Sequence, residues 1–124
     1  MKPPCELAVK EFLPSLRAAI VKELSEHYNL KQTVIADALG ITQASVSQYL
    51  NVERAKTSRF QSIQGFSEGV KQIAAQIAAG DVSKAGVLHA VCDLCSAIRR
   101  SDQFCRIHQE VFTVEECDIC KGPE

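Results

Sequence analysis

Leu30-Lys31-Gln32-Thr33-Val34-Ile35-Ala36-Asp37-Ala38-Leu39-Gly40-Ile41-Thr42-Gln43-Ala44-Ser45-Val46-Ser47-Gln48-Tyr49-Leu50-Asn51 carries two short helical patterns around a single break. The spacing predicts helices over 32–39 and 43–50, parted by Gly40-Ile41-Thr42. Two helices cross steeply only where the residue between them is small, and Ala36 occupies that place. Gly40, four residues on, accepts the positive φ that lets the chain reverse within about three residues. Ile41 re-enters the core, Thr42 can cap the second helix, and Val46 and Leu50 face inward one turn apart. Gln43, Ala44, Ser45, Ser47 and Gln48 are left outside. They are short and neutral, and most can donate or accept hydrogen bonds, which suits base edges in a major groove.

Outward from this stretch the periodicity stays helical. Leu13, Leu16, Ile20 and Leu24 recur at three- and four-residue steps with Lys22, Glu23 and Glu26 opposite, predicting a helix from Pro14 to Tyr28 that ends near Asn29. Pro14 falls where a first turn tolerates it, and residues 5–12 are expected to form a short helix before it. Phe66, Val70, Ile73 and Ile77 predict a further helix closed by Gly80. Another is expected over 83–99, with Val87, Leu88, Val91, Leu94 and Ile98 on its apolar side. Residues 51–64, rich in Arg, Lys, Ser, Thr and Gln, read as a linker or wing with little to bury. From Ser101 the tail is polar and lacks periodicity, so it is expected to fold only if a ligand ties it down.

The composition agrees with packed helices. In 124 residues, 46% are hydrophobic, yet there is no Trp and the aromatics are five Phe and two Tyr. The fold class expected is all-α, with a helix-turn-helix domain over 1–80 followed by a small helical cysteine-rich module over 81–124. The net charge of −1 excludes a protein held to nucleic acid by bulk basicity alone. It is unevenly spread. Residues 1–60 carry eight Lys/Arg against six Asp/Glu (+2), and residues 61–124 six against nine (−3). Any polyanion contact therefore belongs to the first half, and Arg54, Lys56 and Arg59 place positive charge just after the second motif helix.

With those residues in view, the segment resembles the helix-turn-helix of lambda-type phage repressors and the wider family of xenobiotic-response-element-type regulators. The run Gln-Ala-Ser-Val-Ser-Gln-Tyr-Leu over 43–50 is the most specific part of the match. The resemblance implies that Gln43, Ala44, Ser47 and Gln48 face the bases and that Gln32 meets a phosphate through its backbone N–H. The expected DNA-contacting set is Gln32, Thr42, Gln43, Ala44, Ser45, Ser47, Gln48, Arg54 and Lys56. The whole chain, with its cysteine-rich C-terminus, is similar to small predicted transcriptional regulators of archaea. Such a reader implies a double-stranded, pseudo-palindromic DNA operator and a homodimer, its dimer surface on helix 66–79 or 83–99.

Five of the six cysteines lie between Cys92 and Cys120. Cys92-x2-Cys95 and Cys117-x2-Cys120 are two CxxC pairs with twenty-one residues between them. That set fills four tetrahedral positions. Cys105-x2-His108, also at ligand spacing, adds two further candidates, whereas Cys5 stands apart as a stray thiol. Cys117-Asp-Ile-Cys120-Lys-Gly resembles a zinc knuckle. Cys92-Asp-Leu-Cys95 instead lies within an apolar helix and lacks the Gly usual after a knuckle. A structural zinc would also leave a regulator with no input, so an iron–sulfur cluster of the [4Fe-4S] type that senses redox or iron state is favoured. Zinc is the alternative, and a thiol–disulfide switch ranks third.

No enzyme is expected: there is no βαβ context for a thioredoxin-type CxxC, no phosphate-binding glycine loop and no nucleophile–base pair. A small iron–sulfur electron-transfer protein is the rival from another class, but it leaves the 30–51 pattern unexplained. No apolar run approaches the ~20 residues that span a bilayer. With no apolar signal-peptide core at the N-terminus, a cytoplasmic location without membrane contact is expected.

Overall fold

The computed structural model describes residues 11–51, 60–80 and 82–112, and every element among them is a helix. In chain order these are α1 (Leu13–Glu26), α2 (Gln32–Leu39), α3 (Gln43–Asn51), α4 (Phe66–Ala79), α5 (Lys84–Arg99) and α6 (Asp102–Phe112). α1 is the central element, packing against α2, α3 and α4, while α5 lies on α4 and α2, and α6 follows α5. The all-α expectation is met. No helix among the described residues is long and apolar enough to cross a membrane.

The residues that make α1 helical are those that bury it. Leu16, Ile20 and Leu24 are inaccessible to solvent, and Pro14 sits in the first turn where no backbone N–H is needed. The chain leaves α1 through Asn29 at φ 53°, a left-handed conformation that Asn tolerates. α4 buries Phe66, Val70, Ile73 and Ala74 and ends at Gly80, φ 74°. It meets α5 closely at Gly69, where a Cβ would lie 2.5 Å from a Leu94 methyl and would force that side chain to shift. α5 begins at Ser83, whose hydroxyl oxygen accepts from the Gly86 N–H at 3.0 Å.

Three expectations are corrected. The linker reading of 51–64 fails at its end: residues 52–59 lie outside the described residues, but Phe60 and Ile63 are buried, linked by a turn in which Ile63 N–H donates to the Phe60 carbonyl at 3.0 Å. The tail is not without structure up to 112, since 102–112 forms α6 with Phe104 wholly buried. Of the apolar side expected for α5, Val87 and Ile98 are buried, but Leu88 is 65% exposed.

Phe104 shows what holds α6 in place. Its ring lies 5.7 Å from Phe12 and 6.3 Å from Phe60, and Phe12 also meets Phe60 at 5.2 Å and Phe66 at 6.0 Å. The three contacts made by Phe12 are edge-on, the arrangement ring quadrupoles favour. Gln103 fastens the same junction: its side-chain oxygen accepts from Gln64 N–H at 2.9 Å and its amide donates to the Ser62 carbonyl. Ile98 and Phe104 share one hydrophobic cluster with Leu16, Ile35 and Val46, so the core runs without a break from the first helices into α5 and α6.

Candidate nucleic-acid interface

The corner between α2 and α3 is closed by the backbone. Gly40 adopts φ 69°, its N–H donates to the Asp37 carbonyl at 3.3 Å, and the Ile41 N–H reaches back to the Ala36 carbonyl at 3.0 Å. These two bonds form a Schellman motif, which satisfies carbonyls the helix end would leave open. Ala36 and Ile35 are buried at the crossing. Thr42 opens α3: its hydroxyl oxygen accepts from the Ser45 N–H at 3.1 Å and donates to the Ser45 hydroxyl at 2.9 Å. Thr42 therefore serves as the cap the sequence suggested.

Burial then sorts the faces of α3. Val46 is wholly inside and Tyr49 and Leu50 are half-buried, whereas Gln43, Ala44 and Gln48 are exposed and Ser45 and Ser47 are half-buried. The exposed set offers two carboxamides, each able to donate and accept, on a surface without charge. Gln32 is the first residue of α2. No side chain caps that helix, whose initial N–H groups are thus open to an anion. Lys31, just before it, is exposed. Asp37, the acid in this stretch, lies 3.3 Å from Lys84 of α5, an exposed pair that offsets charge without adding much stability. Arg54 and Lys56, expected on phosphates, lie outside the described residues.

The cysteines divide between two helices. Cys92 is exposed and Cys95 half-buried on α5, one turn apart, while Cys105 and His108 of α6 are buried, at 7% and 2% exposure. Burial pushes the Cys95 thiol above its ordinary pKa; the Arg99 guanidinium partly opposes this, and neighbouring Cys92 reinforces it. Beside Cys92 on the outer face, His89 Nδ1 and Asp93 Oδ2 are 3.2 Å apart. Among the described residues no three His, Cys, Asp or Glu side chains converge to hold a metal ion. Cys117, Cys120 and Cys5 lie outside the described residues.

An apolar groove runs between α1, the α2–α3 corner and α5, lined by Ile20, Leu39, Ile41, Val87, Leu88 and Val91. Its parts come from three segments well separated along the chain, and periodicity within single helices carries no signal of it. Compared with models of protein families, with characterised proteins and with solved structures, the chain matches none.

Proposed function

We propose that the chain is a sequence-specific DNA-binding transcriptional regulator whose cysteine-rich C-terminal segment binds an iron–sulfur cluster, with zinc as the alternative occupant. One observation carries the DNA-binding half. α3 turns Gln43, Ala44 and Gln48 to solvent while Val46 anchors its opposite side, behind a corner closed by Gly40. A helix held on one face and carrying carboxamides on the other is built to enter a major groove, where a Gln reads adenine by donating and accepting together. The exposed start of α2 lies in the same motif and suits a backbone phosphate. One such helix reads few base pairs, so a homodimer on a pseudo-palindromic operator completes the reading.

For the metal half, Cys92 and Cys95 supply two sulfurs from successive turns of α5, and Cys117 and Cys120 would supply the other two. A cluster bound there would supply redox chemistry, changing its charge with oxidation state. Ligation requires deprotonated sulfur, so the raised pKa of Cys95 makes loading improve as pH rises. Cys105 and His108 are shielded within the fold and make poorer ligands than the α5 pair.

Enrichment of bound duplexes from a random-sequence pool tests the first half. A shared pseudo-palindromic sequence, bound at least about a thousandfold more tightly than random duplex, is expected; bound DNA that stays random in sequence contradicts it. Metal content and the absorption spectrum of protein purified without oxygen test the second half. Iron with sulfide and broad visible absorption is expected. Stoichiometric zinc in a colourless protein assigns the alternative, and absence of both metals removes the site.

A further inference from the structure

The groove beside the α2–α3 corner has a volume of about 360 Å³, within the range of small-molecule pockets. Ile20 and Val87 are buried at its base, Leu39 and Ile41 come from either side of Gly40, and Leu88 and Val91 from α5. Leu88 is the most exposed of the large apolar side chains among the described residues. A solitary exposed leucine is ordinary, but this one edges a slot that is already apolar.

The charge on the rim is one-sided. Arg17 and Lys84 line the groove, and no acidic residue does. Lys84 is engaged by Asp37 at 3.3 Å, whereas Arg17 is exposed and makes no ion pair among the described residues. One uncompensated guanidinium beside an apolar slot complements a molecule with one anionic head and one apolar body. A second copy of this chain meeting the groove about a two-fold axis would bring the cationic rim against its own image, which like charges oppose.

We propose that this groove binds an amphipathic monoanion, an aliphatic carboxylate whose chain lies against Ile20, Ile41 and Leu88 and whose head pairs with Arg17. Because Leu39 and Ile41 flank Gly40, an occupied groove stiffens the corner that aims α3. The effect on DNA affinity rests on the function proposed above; the binding itself does not.

Calorimetric titration of the full chain with dodecanoate, kept below micelle formation, tests the site, with dodecyltrimethylammonium as the cationic control. Dodecanoate is expected to bind one to one and the ammonium compound at least about tenfold more weakly. Arg17→Glu should weaken dodecanoate by at least about tenfold and Arg17→Lys by only a few fold. Leu88→Asp should abolish binding while circular dichroism stays that of the folded chain, since both side chains are exposed. The proposal is overturned if dodecanoate fails to bind, if carboxylate and ammonium bind alike, if Arg17→Glu binds as the parent does, or if the chain is a dimer that Leu88→Asp dissociates. Duplex DNA binding, measured on the same preparations, separates the two claims. DNA binding without dodecanoate binding removes the groove site alone, and dodecanoate binding without DNA binding removes the regulator reading alone.

Discussion

Gly40 is the residue on which the α2–α3 corner turns. A Cβ built there meets nothing within 4 Å, so the demand for glycine comes from the backbone at φ 69° and not from crowding. Gly40→Ala should therefore destabilise the fold by about 1–2 kcal/mol and Gly40→Asn by less, because Asn enters the left-handed region more readily. Urea denaturation checks this; equal stability of all three proteins would mean the corner relaxes freely. The two α5 cysteines differ in a second measurable way. In metal-free protein Cys92, exposed, should be alkylated by iodoacetamide before Cys95, whose thiol burial holds protonated. The gap should narrow as pH rises through the Cys95 pKa. Equal rates at neutral pH would contradict the burial of Cys95.

At the scale of elements, α1 to α4 were legible because their signals are local. The apolar spacing before Gly40 gives the bounds of Gln32–Leu39 to the residue, and Gly80 marks the end of α4. α6 was not. Its buried residues Phe104, Cys105 and His108 stand at helical spacing, but two of the three are residue types that also bind metal, and they read as ligands rather than as core. Phe60 and Ile63 carry no local signal for a related reason: two apolar residues in a polar stretch gain meaning only when the aromatic cluster of Phe12, Phe66 and Phe104 is assembled around them. Because packing holds α6, Phe104→Ala should cost about 3–5 kcal/mol and Arg106→Ala, at an exposed position, within about 0.5 kcal/mol. Thermal unfolding measures both. A Phe104→Ala variant as stable as the parent would show that α6 does not belong to the core. It also follows that removing metal should leave α6 protected, so proteolysis of chelated protein should spare Arg106.

Across the whole molecule, Lys84–Asp37 and the Val87 side of α5 join the cysteine-bearing helix directly to the α2–α3 unit. Neither this junction nor the groove was legible in the sequence, since both depend on how distant helices are stacked. Under the proposed function, the junction gives a change at Cys92 and Cys95 a short mechanical path to α3. A tenfold to hundredfold change in operator affinity between metal-loaded and metal-free protein corresponds to about 1.4–2.8 kcal/mol, within the usual range of allosteric coupling. With a net charge of −1 the molecule has little non-specific pull on DNA, so the proposed function assigns the discrimination between sequences to α3.

The most direct test of that claim is the affinity of the parent chain and of a Gln43→Ala/Gln48→Ala variant for an enriched operator and for a scrambled duplex at the same salt concentration. Each lost base contact should cost about 1–3 kcal/mol on the operator and almost nothing on the scrambled duplex. An equal loss on both duplexes, or no loss on either, would contradict an α3 that reads bases.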